Sequence, residues 1–483
     1  MAASGIRLCA GPGNPSMTPA PETGQKALRI NLDGERFGTF AEIGAGQEVV
    51  RWFFHAGHAA ATIAKSISAY DTVISDDLYG PAEHYVSRER LASMLDHEYT
   101  LLVKEQDSKR GDKSCFFVFA ETVATHSRPH EAGGHGWIGI RFQTRPRSEP
   151  SEIIVHVELF DSVTTGEQEA LGILGVNLIH GAFYSTQEPA QLIGELMDGL
   201  TRRRIEVDMI KFSGPAFPGI DNRLMSLQLV EQALTDSAMF TAQGEVIQPS
   251  EALSGRPVLI ERGSFHPVTN VTLDILQSAL DQFRADPKIG GQEPVVVMEM
   301  TLNNLITGGS IDHRDFLDRA DTLAALGRMV MISNHTRFDR VIRDLRHYTG
   351  NWIVMPTGLP TLREIFDEKY YTDLAGGILE GLGRLFQGAV KLYIYPEQNP
   401  TNGTMTTVDK LEVASELRHL YAYLVDNGYI EPIRRFGTEQ LHVFPGDVLS
   451  LIQSGDASWE KLVPPPVTAL IKKEKLFGFR GGQ

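Results

Sequence analysis

The chain has 483 residues, 42% of them apolar and 22% charged, and 61 acidic residues outweigh 45 basic ones to give a net charge of -16. This is the balance of a soluble globular protein with two or three cores, at about 100 to 200 residues per domain. It argues against general affinity for nucleic acid or anionic membrane. The two cysteines, Cys9 and Cys115, supply neither a disulfide framework nor a zinc site by themselves. With no apolar signal region at the start and no run of about 18 uncharged apolar residues, the expected compartment is the cytoplasm.

Residues 1–27 are rich in Pro and Gly and poor in large apolar side chains, so they read as a flexible tail. Residues 28–250 read as a mixed α/β domain. "VVRWFFHAGHAAATIAKSISAY" has helical spacing, with Lys65 inside it as a surface lysine. "KSCFFVFAETVAT", "GWIGIRFQ" and "EIIVHVELF" have strand character, and "GEQEALGILGVNLIHGAFY" returns to helix. "TAQGEVIQPSEALSGRP" has the polar and Gly/Pro composition of a connector.

Residues 251–400 alternate regularly. "RPVLIE", "PVVVMEM", "RMVMISN" and "WIVMP" are short apolar strands, separated by "NVTLDILQSALDQFRA", "HRDFLDRADTLAALG" and "RFDRVIRDLRHYTG", each of helical length and spacing. Such alternation predicts βαβ units and a parallel sheet buried on both faces, a Rossmann-like architecture. Residues 401–483 read as a helical C-terminal region, with "VASELRHLYAYLVD" stopped at Asn427-Gly428.

Several local patterns have a plain structural reading. His55 and His58 of "HAGH" share a helix face, yet no strand and turn precede them. His126, His130, Glu131 and His135 of "THSRPHEAGGHGW" cluster like metal ligands, but the Pro and Gly around them predict a solvated loop. "EIGAGQE" is a Gly-rich helix entry, whose Glu42 and Glu48 would repel a phosphate.

The stretch richest in chemistry is "GSFHPVTN", Gly263 to Asn270, which follows a predicted strand and opens a predicted helix. In open parallel sheets this turn is where backbone N–H groups meet phosphate. Gly263 permits close backbone approach, Ser264 can bond a phosphate oxygen, and Phe265 can anchor the turn.

This string resembles the first motif of nicotinamide/nicotinate mononucleotide adenylyltransferases. The resemblance implies ATP with Mg²⁺ as cofactor, a small nucleotide as partner, and adenylyl transfer as activity. It assigns phosphate contacts to Gly263, Ser264, Phe265, Thr269 and Asn270. The family motif ends in a histidine that stabilises the charge built up in the transfer, and Thr272 stands at that position. Losing one such donor costs on the order of 3 to 4 kcal/mol. His266 is the nearby candidate to replace it.

A second family motif closes the triphosphate site, and "ISNHTRF" resembles half of it, with Ser333 in register and Arg337 one position early. Together these assign His266, Thr272 and Arg337 as the catalytic set. "FAEIGAGQEV" and "TIAKSISAYD" also resemble a bacterial family with inconsistent names, adenylyltransferase among them.

Two functional readings follow. One is a nucleotide-binding, nucleotidyltransferase-like protein. The other is a non-catalytic scaffold, self-assembling as a homo-oligomer, that keeps the domain as a structural unit. The first is the leading reading, with adenylyl transfer to nicotinamide/nicotinate mononucleotide as its activity; the missing histidine, the large unmatched N-terminal domain and the scarcity of paired catalytic groups speak for the second as its alternative.

Overall fold

The computed structural model describes residues 21–44, 46–125, 133–307, 309–399, 403–441 and 445–480. Two twisted sheets, flanked by helices, account for most of it, which makes the chain mixed α/β with parallel strands in both halves.

The first sheet has six strands: β1 (Arg36–Ile43), β2 (Ile63–Ile67), β3 (Cys115–Ala124), β4 (Gly134–Phe142), β5 (Ser151–Leu159) and β6 (Ile205–Ser213). Their order is β2-β1-β3-β4-β5-β6, parallel among the first three and antiparallel from β3 onwards. Strand alternation sends successive side chains to opposite faces. Phe116, Val118 and Ala120 therefore enter one core, while Phe117 and Phe119 enter another.

The second core is closed by helices α1 (Thr23–Leu32) and α2 (Glu48–Ala56), with the first core covered by α3 (Arg88–Arg110). Behind α1 and α2 lies α4 (Thr164–Tyr184), buried along most of its length. It sits close to α2 because a Cβ on Gly175 would come within 2.5 Å of Val49.

The helix expected to run on from "VVRWFF" stops at Ala56. Gly57 caps it, and residues Ile63–Ile67 form the edge strand β2 instead. Lys65 therefore lies on a strand, where its Nζ meets the buried Glu98 at 2.5 Å. A β-branched and small-residue edge strand has too little apolar contrast to break the helical spacing of the preceding run.

The second sheet holds eight strands: β7 (Ser237–Phe240), β8 (Val246–Ile247), β9 (Val258–Arg262), β10 (Val295–Thr301), β11 (Met329–Ser333), β12 (Ile353–Gly358), β13 (Val390–Tyr395) and β14 (Ile430–Pro432). In space they run β14-β13-β12-β9-β10-β11-β7-β8, parallel from β14 to β11 and antiparallel at β7 and β8. This is the Rossmann-like parallel sheet expected for residues 251–400. Its helices include α5 (Asn270–Arg284), α6 (His313–Ala325) and α7 (Phe338–Tyr348).

The sheet reaches beyond the expected limits on both sides. β7 and β8 come from before residue 250, and β14 comes from after residue 400. Very short edge strands carry little periodic signal and are recruited by the open sheet edge. Apart from a short strand at Met405–Thr406, the described remainder of the C-terminal region forms helices and turns, with α8 (Arg418–Asp426) ending at Asn427.

The last elements are α9 (Pro445–Ser454) and α10 (Pro465–Glu474). They enclose a small core of their own, built on Val448, Ile452, Trp459, Val467, Ile471 and Phe477. One face of the second sheet shares a continuous core with the first sheet, so the two halves are packed together. Among the described residues, no helix is long and apolar enough to cross a membrane.

Candidate functional site at the β9–α5 turn

The Gly263–Asn270 stretch lies where a nucleotide turn would, between the carboxyl end of β9 and the start of α5. Several of its groups have partners within the chain. The Gly263 N–H donates to the Glu299 carbonyl at 3.1 Å. A Cβ on Gly263 would lie 2.7 Å from the Phe265 ring, so the glycine makes room for that ring. Phe265 is buried with a φ of 48°, which anchors the turn from inside.

His266 is partly buried. Its Nε2 lies 2.9 Å from Asp315 Oδ1 and its Nδ1 lies 3.0 Å from the Arg319 guanidinium, while the Phe477 ring packs against the imidazole at 5.1 Å. Arg319 is almost fully buried and also donates to the carbonyls of Ser264 at 3.0 Å and Asn304 at 2.8 Å, and to the Asp315 carboxylate. Burial alone would push the Asp315 carboxyl up, but hydrogen bonds from His266 and Arg319 hold it below its ordinary value. A stable ion pair under the turn results.

Thr269 is buried at the N-cap of α5, and its Oγ1 lies 3.2 Å from Thr272 Oγ1. Thr272 therefore spends its hydroxyl on the cap. Asn270 turns outward to the C-terminal region, with its N–H 2.9 Å from the Leu462 carbonyl and its Nδ2 2.9 Å from the Lys461 carbonyl. The helix N-terminus, the natural place for an anion, is thus met by two carbonyl oxygens of the same chain.

The second loop is equally committed. Ser333 Oγ donates at 2.5 Å to the buried Glu299 carboxylate, which also takes two bonds from Arg262, at 2.9 and 2.7 Å. Arg337 is bound by Asp339 and Asp373 and packs near Tyr371. Burial opposes its charge, yet those two carboxylates hold its pKa above the ordinary guanidinium value.

The structure therefore brings Gly263, Ser264, Phe265 and His266 together over Arg319, and Thr269 with Thr272 at the cap. It does not bring Arg337 into the hydrogen-bonding network of the turn. Triphosphate with Mg²⁺ fits these residues poorly, since the Asn270 and Thr272 N–H groups of the helix end and the nearby Arg262, Arg319 and Arg337 already have partners.

Sequence reasoning passed over Asp315, Arg319, Arg262 and Glu299. A charged residue inside the apolar strand "VVVMEM" was the available signal for Glu299. Arg319 lies 55 residues from Ser264 and had no local signal.

The other patterns resolve as follows. His55 closes α2, and His58 sits past the Gly57 cap with a φ of 62°. His126, His130 and Glu131 lie outside the described residues, while His135 is on β4. In "EIGAGQE" the Glu42 carboxylate itself accepts the Val49 and Val50 N–H groups at 3.0 Å, occupying the N-terminus of α2.

No family model matches the sequence, and no curated protein matches it. Among solved structures, the competence/damage-inducible protein CihA of Agrobacterium tumefaciens is 16% identical, with 34% of this chain and 97% of that one covered at a TM-score of 0.24. A CinA-superfamily protein of Enterobacter cloacae is 10% identical, with 36% and 98% covered at 0.26. A candidate nicotinate-nucleotide adenylyltransferase of Vibrio parahaemolyticus is 13% identical, with 47% and 98% covered at 0.25. Likenesses this loose carry no argument about function.

Proposed function

We propose that this chain is a nucleotidyltransferase-like α/β protein whose Gly263–Asn270 turn works as a structural joint rather than a catalytic one. It docks the C-terminal helices onto the second sheet, and the protein acts as a non-catalytic scaffold in the cytoplasm, assembling as a homo-oligomer. The observation that carries this reading is the pair of bonds from Asn270 to the Leu462 and Lys461 carbonyls, which fill the phosphate-binding end of α5.

Supporting it, Thr272 stands where the motif's histidine belongs, and its hydroxyl is used within the cap. A neutral hydroxyl can donate a hydrogen bond but carries no positive charge to set against the charge that accumulates in adenylyl transfer. Arg337, held by two aspartates, is not free to replace it.

The test is isothermal titration of the full chain with ATP and with nicotinamide mononucleotide, each with Mg²⁺, followed by an assay for NAD. The expected outcome is no saturable heat and no NAD, with one defined elution volume on gel filtration whether or not ATP is present. Saturable ATP binding with NAD formation would return the turn to catalysis.

A further inference from the structure

The first sheet gathers a second set of chemical groups, far in sequence from the turn. β4, β5 and β6 are antiparallel neighbours, with His135 opposite Glu158 and Trp137 opposite His156. These four side chains share one face, because residues two apart on a strand point the same way. Between β5 and β6 the register slips: His156 faces Met209 and Val157 faces Val207, so Asp208 is the extra residue of a bulge. Bulges re-aim a side chain, and this one turns the Asp208 carboxylate to His156.

His156 and Asp208 are buried, with His156 Nδ1 2.7 Å from Asp208 Oδ1. The other oxygen of Asp208 accepts from Gln248 Nε2 at 3.2 Å. A carboxylate on Nδ1–H fixes the tautomer and leaves the Nε2 lone pair free, the usual arrangement behind a metal-bound histidine. The Trp137 ring packs on the imidazole at 4.8 Å and restricts its rotation.

The Nε2 of His156 lies 3.4 Å from Nδ1 of His135, a hydrogen-bond contact that a shared cation would replace. Two nitrogens bound at 2.0–2.1 Å to one tetrahedral ion stand about 3.3–3.4 Å apart. His156, Glu158 and Asp208 each bring a ligand atom within 4.8 Å of the others. The Glu158 backbone pairs in the sheet, while its carboxylate has no hydrogen-bond partner among the described residues. The two histidines border a cavity of about 970 Å³, also lined by Trp137, Arg88, Gln248 and Glu251, with Glu158 and Asp208 set behind its wall.

We infer that His135, His156 and Glu158 form a binding site for a divalent transition-metal cation of the zinc type, with Asp208 as the residue that orients His156. Two imidazoles and one carboxylate suit such an ion better than Mg²⁺ or Ca²⁺, which take oxygen ligands. Three protein ligands leave a position open toward the cavity, the pattern of a site that binds water or a small ligand rather than one that only holds the fold.

The experiment takes the full-length chain stripped with a chelator. Zn²⁺ is titrated by calorimetry, and Co²⁺ is added as a visible-absorption probe of the ligand set. The expected result is one equivalent bound, a Co²⁺ spectrum of low-coordinate nitrogen and oxygen ligation, and affinity lowered at least tenfold in His135→Ala and in Glu158→Gln. Asp208→Asn, which leaves the ligands in place, should weaken binding about 10- to 100-fold. His55→Gln with His58→Gln serves as control and should bind as wild type. Each variant is checked by circular dichroism, and His135→Ala, on the cavity wall, should keep the fold. The inference is overturned if the wild-type chain binds no more Zn²⁺ than His135→Ala, or if its Co²⁺ spectrum is the same in both.

Discussion

The backbone N–H of Asn270 and the carbonyl of Leu462 are joined by a 2.9 Å hydrogen bond, and the Asn270 side chain repeats the contact on Lys461, 191 residues away. The first turn of α5 is therefore closed by the C-terminal helices. Asn270→Ala removes the side-chain bond alone and should cost about 0.5–1.5 kcal/mol of docking energy. Hydrogen exchange over residues 445–480 should quicken while the strands of the second sheet stay protected. Unchanged exchange in that segment would mean that Phe477 and its neighbours hold the docking without Asn270.

Under the same turn, Arg319 is buried with bonds to Asp315, His266 and the carbonyls of Ser264 and Asn304. Arg319→Met leaves a carboxylate and two carbonyls without this donor, and breaking such a buried pair costs about 3–5 kcal/mol. His266→Asn keeps the arginine pair and should cost markedly less, about 1 kcal/mol. Urea unfolding of both variants separates them. If Arg319→Met unfolds within 1 kcal/mol of wild type, a threshold roughly the size of one hydrogen bond, the ion pair does not hold the turn.

Much of the fold was legible because period-two alternation in "KSCFFVFAETVAT" splits cleanly between two cores, and because the βαβ spacing of residues 251–400 repeats. What was not legible had no local cause. The strand at Ile63–Ile67 is set by pairing with β1, and Ile430–Pro432 by the free edge of β13. The turn itself was recognisable from Gly263, Phe265 and Thr269. Its chemical state was not, because Arg319 and Leu462 reach it through the tertiary fold. The same holds for His135 and His156, where only the "HVE" spacing of His156 and Glu158 placed two of the groups on one strand face.

Gly263 and Phe265 offer a test of why the glycine is there. If it makes room for the ring, Gly263→Ala should destabilise by about 1–3 kcal/mol, as overpacking does. In a Phe265→Leu background the same substitution should cost less, giving a measurable coupling energy of about 0.5 kcal/mol or more. A glycine needed for phosphate approach would show no such coupling. Thermal or urea denaturation of the four chains completes the cycle.

Glu42 and Glu121 face each other in register on β1 and β3, both buried, and neither oxygen of Glu121 has a hydrogen-bond partner among the described residues. Burial pushes the Glu42 carboxyl up to about 8, against the pull of the Val49 and Val50 N–H groups and with a further push from Glu48. Burial also raises Glu121 well above its ordinary value, and the neighbouring Glu42 adds to it. In the folded chain these carboxyls keep protons that the unfolded chain releases near pH 4.5. The Glu42 contribution is therefore whole below about pH 4.5 and is lost as pH rises through about 8, with a slope of up to about 1.4 kcal/mol per pH unit for each proton, and the Glu121 contribution changes in the same direction. Denaturation midpoints measured from pH 5 to pH 9, a window of about two units each side of neutrality, should fall with rising pH in this part of the curve. Glu121→Gln keeps the shape, cannot ionise, and offers Glu42 a donor, so its slope should be shallower and its stability above wild type at the alkaline end. A slope identical to wild type would show that the two carboxyls are already ionised in the folded chain.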